Sequence, residues 1–155
     1  MTWERTAAVQ SPAPPAGVWD VLIDGRRWAR WHDGVEWMVT EGPLEPGTVV
    51  TIKPRRLPQT ALRIEVAVPA RALGLMVTIG PVARMRLRWD LAPDGAGTAI
   101  GQTISIDGPL AGLLLRRAAE RIAAAMPANL ARLAARADGD EKSATGDRPR
   151  SDSIG

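Results

Sequence analysis

The chain has 155 residues and a mass of 16.6 kDa, enough for one domain with a continuous core. It has no cysteine and one histidine, which excludes disulfides, thiol catalysis and thiolate metal sites and argues against a zinc or haem centre, so no metal or cofactor is expected. Its net charge of +3 does not predict a nucleic-acid partner: the basic residues, eighteen of them arginine, are scattered among 17 acidic ones, and Phe and Tyr are absent as stacking platforms.

No basic leader followed by an apolar run opens the sequence, and no segment approaches the roughly eighteen uninterrupted apolar residues of a membrane span. The expectation is a soluble cytoplasmic protein without integral membrane association, either monomer or homodimer.

In chain order, residues 3–11 can form a first strand with poor alternation. Pro12, Pro14 and Pro15 end it and open a helix over AGVWDVLID, with Val18, Trp19, Val21 and Leu22 as its apolar side. Asp24–Gly25 stops that helix, and Asp24 can N-cap a second short helical piece that sets Trp28 and Trp31 on one face. From Val35 the period changes to two. VEWMVTEG places Val35, Trp37 and Val39 together, and GTVVTIKP is a strand closed by Pro54. TALRIEVAV alternates Leu62, Ile64, Val66 and Val68 with Arg63 and Glu65. RALGLMVTIG puts Leu73, Leu75, Val77 and Ile79 on one side, with Ala72, Gly74, Met76 and Thr78 on the other. VARMRLRWDL is the clearest strand, with Met85, Leu87, Trp89 and Leu91 inward and Arg84, Arg86, Arg88 and Asp90 outward. TAIGQTISI follows, placing Ile100, Gln102, Ile104 and Ile106 together.

The last pattern, Pro109 to Ala137, is the longest. Leu115, Ala118, Ile122, Met126, Leu130, Leu133 and Ala137 make one helical stripe, and Ala, Leu and Arg favour the helix locally. Pro127 removes an internal hydrogen bond, so a bend is expected there. Residues 138–155 have no apolar pattern and read as a disordered tail beyond a single domain at 3–137; the tail's net charge is −2, leaving about +5 on the body. Short connections imply sequential antiparallel pairing, hence an α+β domain: a curved sheet of six or seven strands around a long C-terminal helix, with two short helices after the first strand.

The segments APPAGVWDVLIDGRRWARWHDGVEW, EGPLEPGTVVTIKP and ISIDGPLAGLL, in that order, resemble the START/Bet v 1-like helix-grip superfamily, nearest its polyketide cyclase/dehydrase and lipid-transport-like branch. The likeness spans residues 3–137. It implies an elongated apolar cavity between sheet and helix, and a small hydrophobic partner such as a lipid, isoprenoid or polyketide-like molecule. It does not choose between carrier and enzyme.

Trp89, Met85, Leu87, Met76, Trp31, Ile104, Ile122 and Met126 are the candidate apolar contacts for such a ligand, each with core packing as the alternative. Gln102 interrupts an isoleucine row, so it either finds a partner in a cavity wall or turns outward on a bulge. His32, the one group titrating near neutrality, is a candidate acid/base or a solvated helix end. The Arg84, Arg86 and Arg88 row reads as outer sheet, with Arg63 and Glu65 as neighbours. No phosphate loop, nucleophile elbow, paired-His helix or pair of carboxylates with separated roles occurs, so no catalytic residue is assigned. Ligand binding or transport is the leading expectation. A polyketide aromatase/cyclase or dehydratase is the alternative, and a structural protein with a filled core the third.

Overall fold

The computed structural model describes residues 3–146, with side chains to residue 139; of the tail expected at 138–155, residues 138–146 continue the terminal helix instead, and the part from 147 onward lies outside the described residues. Strand β1 (Trp3–Ser11) leads through Pro14 into α1 (Pro15–Ile23), where Pro15 sits in the first turn and needs no N–H. Val18, Trp19, Val21 and Leu22 are buried, as their spacing predicts. The Asp24 side chain accepts from the Arg26 N–H at 3.1 Å, capping a 3₁₀ turn (Gly25–Arg27) that runs into α2 (Trp28–Trp31). Any Cβ on Gly25 would strike the Met38 carbonyl oxygen, so glycine sets how closely this turn lies on β2 (Val35–Thr40).

Strand β2 is followed by β3 (Val49–Pro54), β4 (Thr60–Val68), β5 (Ala72–Ile79), β6 (Ala83–Asp94) and β7 (Gly97–Asp107) in an antiparallel meander, and β1 returns to pair with β7. The order is β1-β7-β6-β5-β4-β3-β2 in one curled sheet whose inner face holds the core.

Two bulges correct the expected faces. An extra residue at Glu36 brings Met38 inward and leaves Trp37 and Val39 39% and 51% exposed on edge strand β2. A second, at Glu65, puts Val66 and Val68 on the outer face and gives the inner position to Ala67, opposite Leu73. Because side chains alternate along a strand, one inserted residue inverts every face downstream.

The terminal helix is also not one piece. A short α3 (Ala111–Leu114) ends at Leu115, and α4 (Arg116–Gly146) begins after it. Helix α4 passes through Pro127 without ending and continues beyond Ala137, where the apolar stripe stops. It is fastened at its second half. Asn129 is buried, and its Oδ1 accepts from the Asp33 N–H at 3.1 Å and from Arg132 Nη2 at 2.6 Å. Arg132 Nε donates to the Trp31 carbonyl at 2.9 Å, and Ser11 Oγ donates to the Ala134 carbonyl at 3.0 Å.

Replacing Asn129 by Ala leaves the Asp33 N–H without its acceptor and frees Arg132, a loss of about 1–3 kcal/mol. Denaturant unfolding checks this, and Asn129→Asp, which keeps an acceptor facing Arg132, should retain most of the stability.

Candidate functional site

Strands β6 and β7 pair without a break from Arg84↔Asp107 to Asp94↔Gly97, so their inner side chains form straight rows. One row runs Ala7, Gln102, Trp89, Leu73 across β1, β7, β6 and β5. The next runs Ile104, Leu87, Leu75, and the third Ile106, Met85, Val77. Gln102 is 2% exposed and lies in the inner row, so no bulge turns it outward.

Behind Trp89 the space is filled by rings. Trp28 lies 4.8 Å from Trp31 and 5.4 Å from Trp89 between centroids, and Trp31 lies 6.5 Å from Trp89. The tilted and edge-on angles are those that ring quadrupoles favour. His32 joins this cluster, 5.5 Å from both Trp28 and Trp31 and stacked on the former.

The three indoles differ in one chemical respect. Trp28 Nε1 donates to the Leu22 carbonyl at 2.7 Å, whereas the buried Nε1 atoms of Trp31 and Trp89 have no partner. Gln102 Oε1 and His32 Nδ1 are also buried and unpartnered. A buried polar atom without a hydrogen bond costs free energy, and four of them lie on connected residues of one region.

Nearer the start of α4 the packing opens. Leu87 and Val77 keep accessible surface although they stand mid-sheet between buried neighbours. Ile122 and Ala123 of α4 are likewise only partly buried, while Met85, Ile104 and Met126 close the surroundings. Met85, Leu87, Ile104, Ile122 and Met126 therefore share one apolar cluster, and Trp31 and Trp89 belong to the adjoining one. Gln102 stands beside Trp89 in the inner row, and Leu87 borders both clusters. Met76 is the exception. It pairs with Arg86 and Arg63 on the outer face, as the parity of its own strand requires, and takes no part in this region.

Two nearby residues lie outside the expected ligand contacts. His32 is four residues after Trp28, a spacing that stacks the rings of adjacent helical turns. Arg5 occupies an inner position opposite Ile104 on edge strand β1, its guanidinium 4.8 Å from the centroid of the Trp3 ring. The odd-numbered positions of β1, from Trp3 to Ser11, carry that signal.

The outer face behaves as expected. Arg86 bonds Glu65 at 3.0 Å and also Asp107, Arg84 pairs with Asp107 at 3.3 Å, and Arg88 with Asp90 at 3.0 Å. Among the described residues no group of three or more His, Asp or Glu side chains could hold a metal ion, and no helix is long and apolar enough to cross a membrane.

The family model for polyketide cyclase / dehydrase and lipid transport matches residues 2–138. No curated protein sequence matches significantly. Among solved structures, the Zhui aromatase/cyclase of Streptomyces sp. R1128 is similar at a TM-score of 0.68 and 17% identity, covering 89% of this chain and 94% of that one. Ara h 8.0201 gives 0.68 and 11%, covering 90% and 99%. TTHA0849 of Thermus thermophilus gives 0.67 and 19%, covering 89% and 99%. At these identities the likeness is one of fold.

Burial lowers the His32 pKa from 6.5 to about 4, aided by the positive charge of Arg132 and opposed by Asp33. Between those values the unfolded chain binds a proton that the folded chain refuses. The contribution of the neutral ring is complete above pH 6.5 and is lost as the pH falls towards 4, by up to roughly 3 kcal/mol. Denaturant midpoints measured across this window should fall with acid in the wild type and fall less in His32→Asn.

Proposed function

The chain belongs to the polyketide cyclase / dehydrase and lipid transport family, and within it we propose that this protein binds a small, mainly hydrophobic ligand carrying oxygen functions, between the inner sheet face and α4. The carrying observation is Gln102. Its Oε1 is buried without a partner beside Trp89, whose Nε1 is equally unpartnered, in an inner row completed by Ala7 and Leu73. A hydrocarbon would leave both atoms unsatisfied, whereas a hydroxyl, which donates and accepts, answers both, and a carbonyl answers the indole N–H. Met85, Leu87, Ile104, Ile122 and Met126 would hold the apolar body, with Trp31 and Trp89 as its wall. The reading places the protein in the cytoplasm.

A second reading, a polyketide aromatase/cyclase or dehydratase, draws on the family and on the His32 ring nitrogen. With a pKa of about 4, His32 is a weak base at neutral pH, so catalysis in this site would rest mainly on holding a flexible chain in a reactive shape. Binding is the function the geometry supports best.

Titration with an environment-sensitive apolar dye, displaced by 1-naphthol or by naphthalene, tests the proposal. Wild type should bind saturably and prefer naphthol, and Gln102→Leu and Trp89→Phe should each reduce that preference by about tenfold. Absence of saturable binding, or a preference unchanged in both variants, would sink the reading in favour of a filled core. Turnover of a polyketide-like substrate by wild type would move the assignment to the second reading.

A further inference from the structure

We propose that the tip built from the Ile79–Val82 turn and helix α3 docks the protein onto a bilayer surface bearing anionic headgroups. The two segments are joined: the Leu110 N–H donates to the Val82 carbonyl at 3.0 Å, and the Val82 N–H closes the turn on Ile79 at 3.2 Å. Gly108 makes the approach possible, because it adopts φ +113° and a Cβ there would meet the Val82 carbonyl oxygen at 2.5 Å. Neither TIGPV nor GPLAGLLL contains a charge.

Half of the large apolar side chains exposed among the described residues lie on this tip. Leu113 is 81% exposed, and Leu114, Leu110 and Ile79 are each above 40%. Helix α3 keeps its place through Ala111, and the turn after it through Leu115, both buried in the apolar cluster beneath. The exposed leucines are therefore held outward by a fixed base, and a grouped apolar surface of this kind marks an interaction site.

Charge selects the occupant. Arg116, Arg117 and Arg121 follow on the first two turns of α4. Arg116 pairs with Glu120 at 3.1 Å, but the exposed Arg117 and Arg121 have no partner among the described residues. Arg84, near the base of the turn, shares Asp107 with Arg86. Leucines that can enter the acyl boundary, followed by free arginines at headgroup level, form the pattern of an interfacial anchor. A second copy of the chain fits less well, because a two-fold contact over this tip would bring Arg117 and Arg121 towards their own counterparts.

The inference goes beyond ligand binding and does not depend on it. The intact protein is sedimented with vesicles of phosphatidylcholine alone and of phosphatidylcholine mixed with phosphatidylserine. It should pellet with the mixed vesicles and be released by added salt. Leu113→Ser with Leu114→Ser, and separately Arg117→Ser with Arg121→Ser, should each weaken binding by about tenfold or more. These side chains are exposed, so thermal melts should remain close to wild type. Three results would overturn the proposal: no binding to mixed vesicles, equal binding to neutral ones, or undiminished binding by both double variants. Self-association in sedimentation velocity that the leucine changes abolish would assign the tip to a second copy and overturn it as well.

Discussion

Helix α4 closes on the sheet unevenly, and the rest of the structure depends on that inequality. From Met126 onward it is pressed into the core by Leu130, Leu133, Ala134 and Ala137 and fastened by polar contacts with Asp33, Trp31 and Ser11. Before Met126 only Ala119 of this helix is fully buried, and Ala118, Ile122, Ala123 and Ala125 are only partly buried. The helix thus clamps one end of the curled sheet and leaves the other loosely covered. Pro127 lies at the change between the two regimes, at a point where one backbone hydrogen bond is already absent.

The same inequality explains the tryptophans. Trp28, Trp31 and Trp89 fill the clamped end, where bulky rings with few rotamers suit a fixed shape. Their polar handles divide the labour. The Trp28 N–H is spent on the Leu22 carbonyl in the last turn of α1, whereas those of Trp31 and Trp89 have no partner among the described residues. The boundary between filled core and accessible surface therefore runs close to Trp89 and Gln102.

Much of this was legible in the residues. The alternation in VARMRLRWDL and TAIGQTISI fixes the inner rows, and the break-free pairing of β6 with β7 preserves it. The inward position of Gln102 follows from the same parity. What could not be read was any feature hinging on one inserted residue. Nothing in VEWMVTEG or TALRIEVAV distinguishes a bulge at Glu36 or Glu65 from regular alternation, yet each bulge sends apolar residues outward. The stop at Leu115 is also silent, since GPLAGLLLRR satisfies helix propensity throughout and the interruption comes from burying Leu115 while Leu113 and Leu114 stay outside. Met76 was misplaced for a different reason: its side-chain type outweighed the parity of its own strand.

Net charge is a poor guide to this surface because the arginines do two kinds of work. Arg84, Arg86 and Arg88 on the outer sheet face are matched by Glu65, Asp107 and Asp90, so they contribute little field beyond the next strand. Arg117 and Arg121 are unmatched among the described residues, beside uncharged, exposed leucines. An interior amide and two indole donors likewise differ from a buried charge. A carboxylate at position 102 would carry a heavy desolvation penalty unless a cation entered with the ligand, while an amide can exchange one neutral partner for another at little cost. A neutral, half-satisfied interior suits reversible occupancy by molecules that are mostly hydrocarbon and only locally polar.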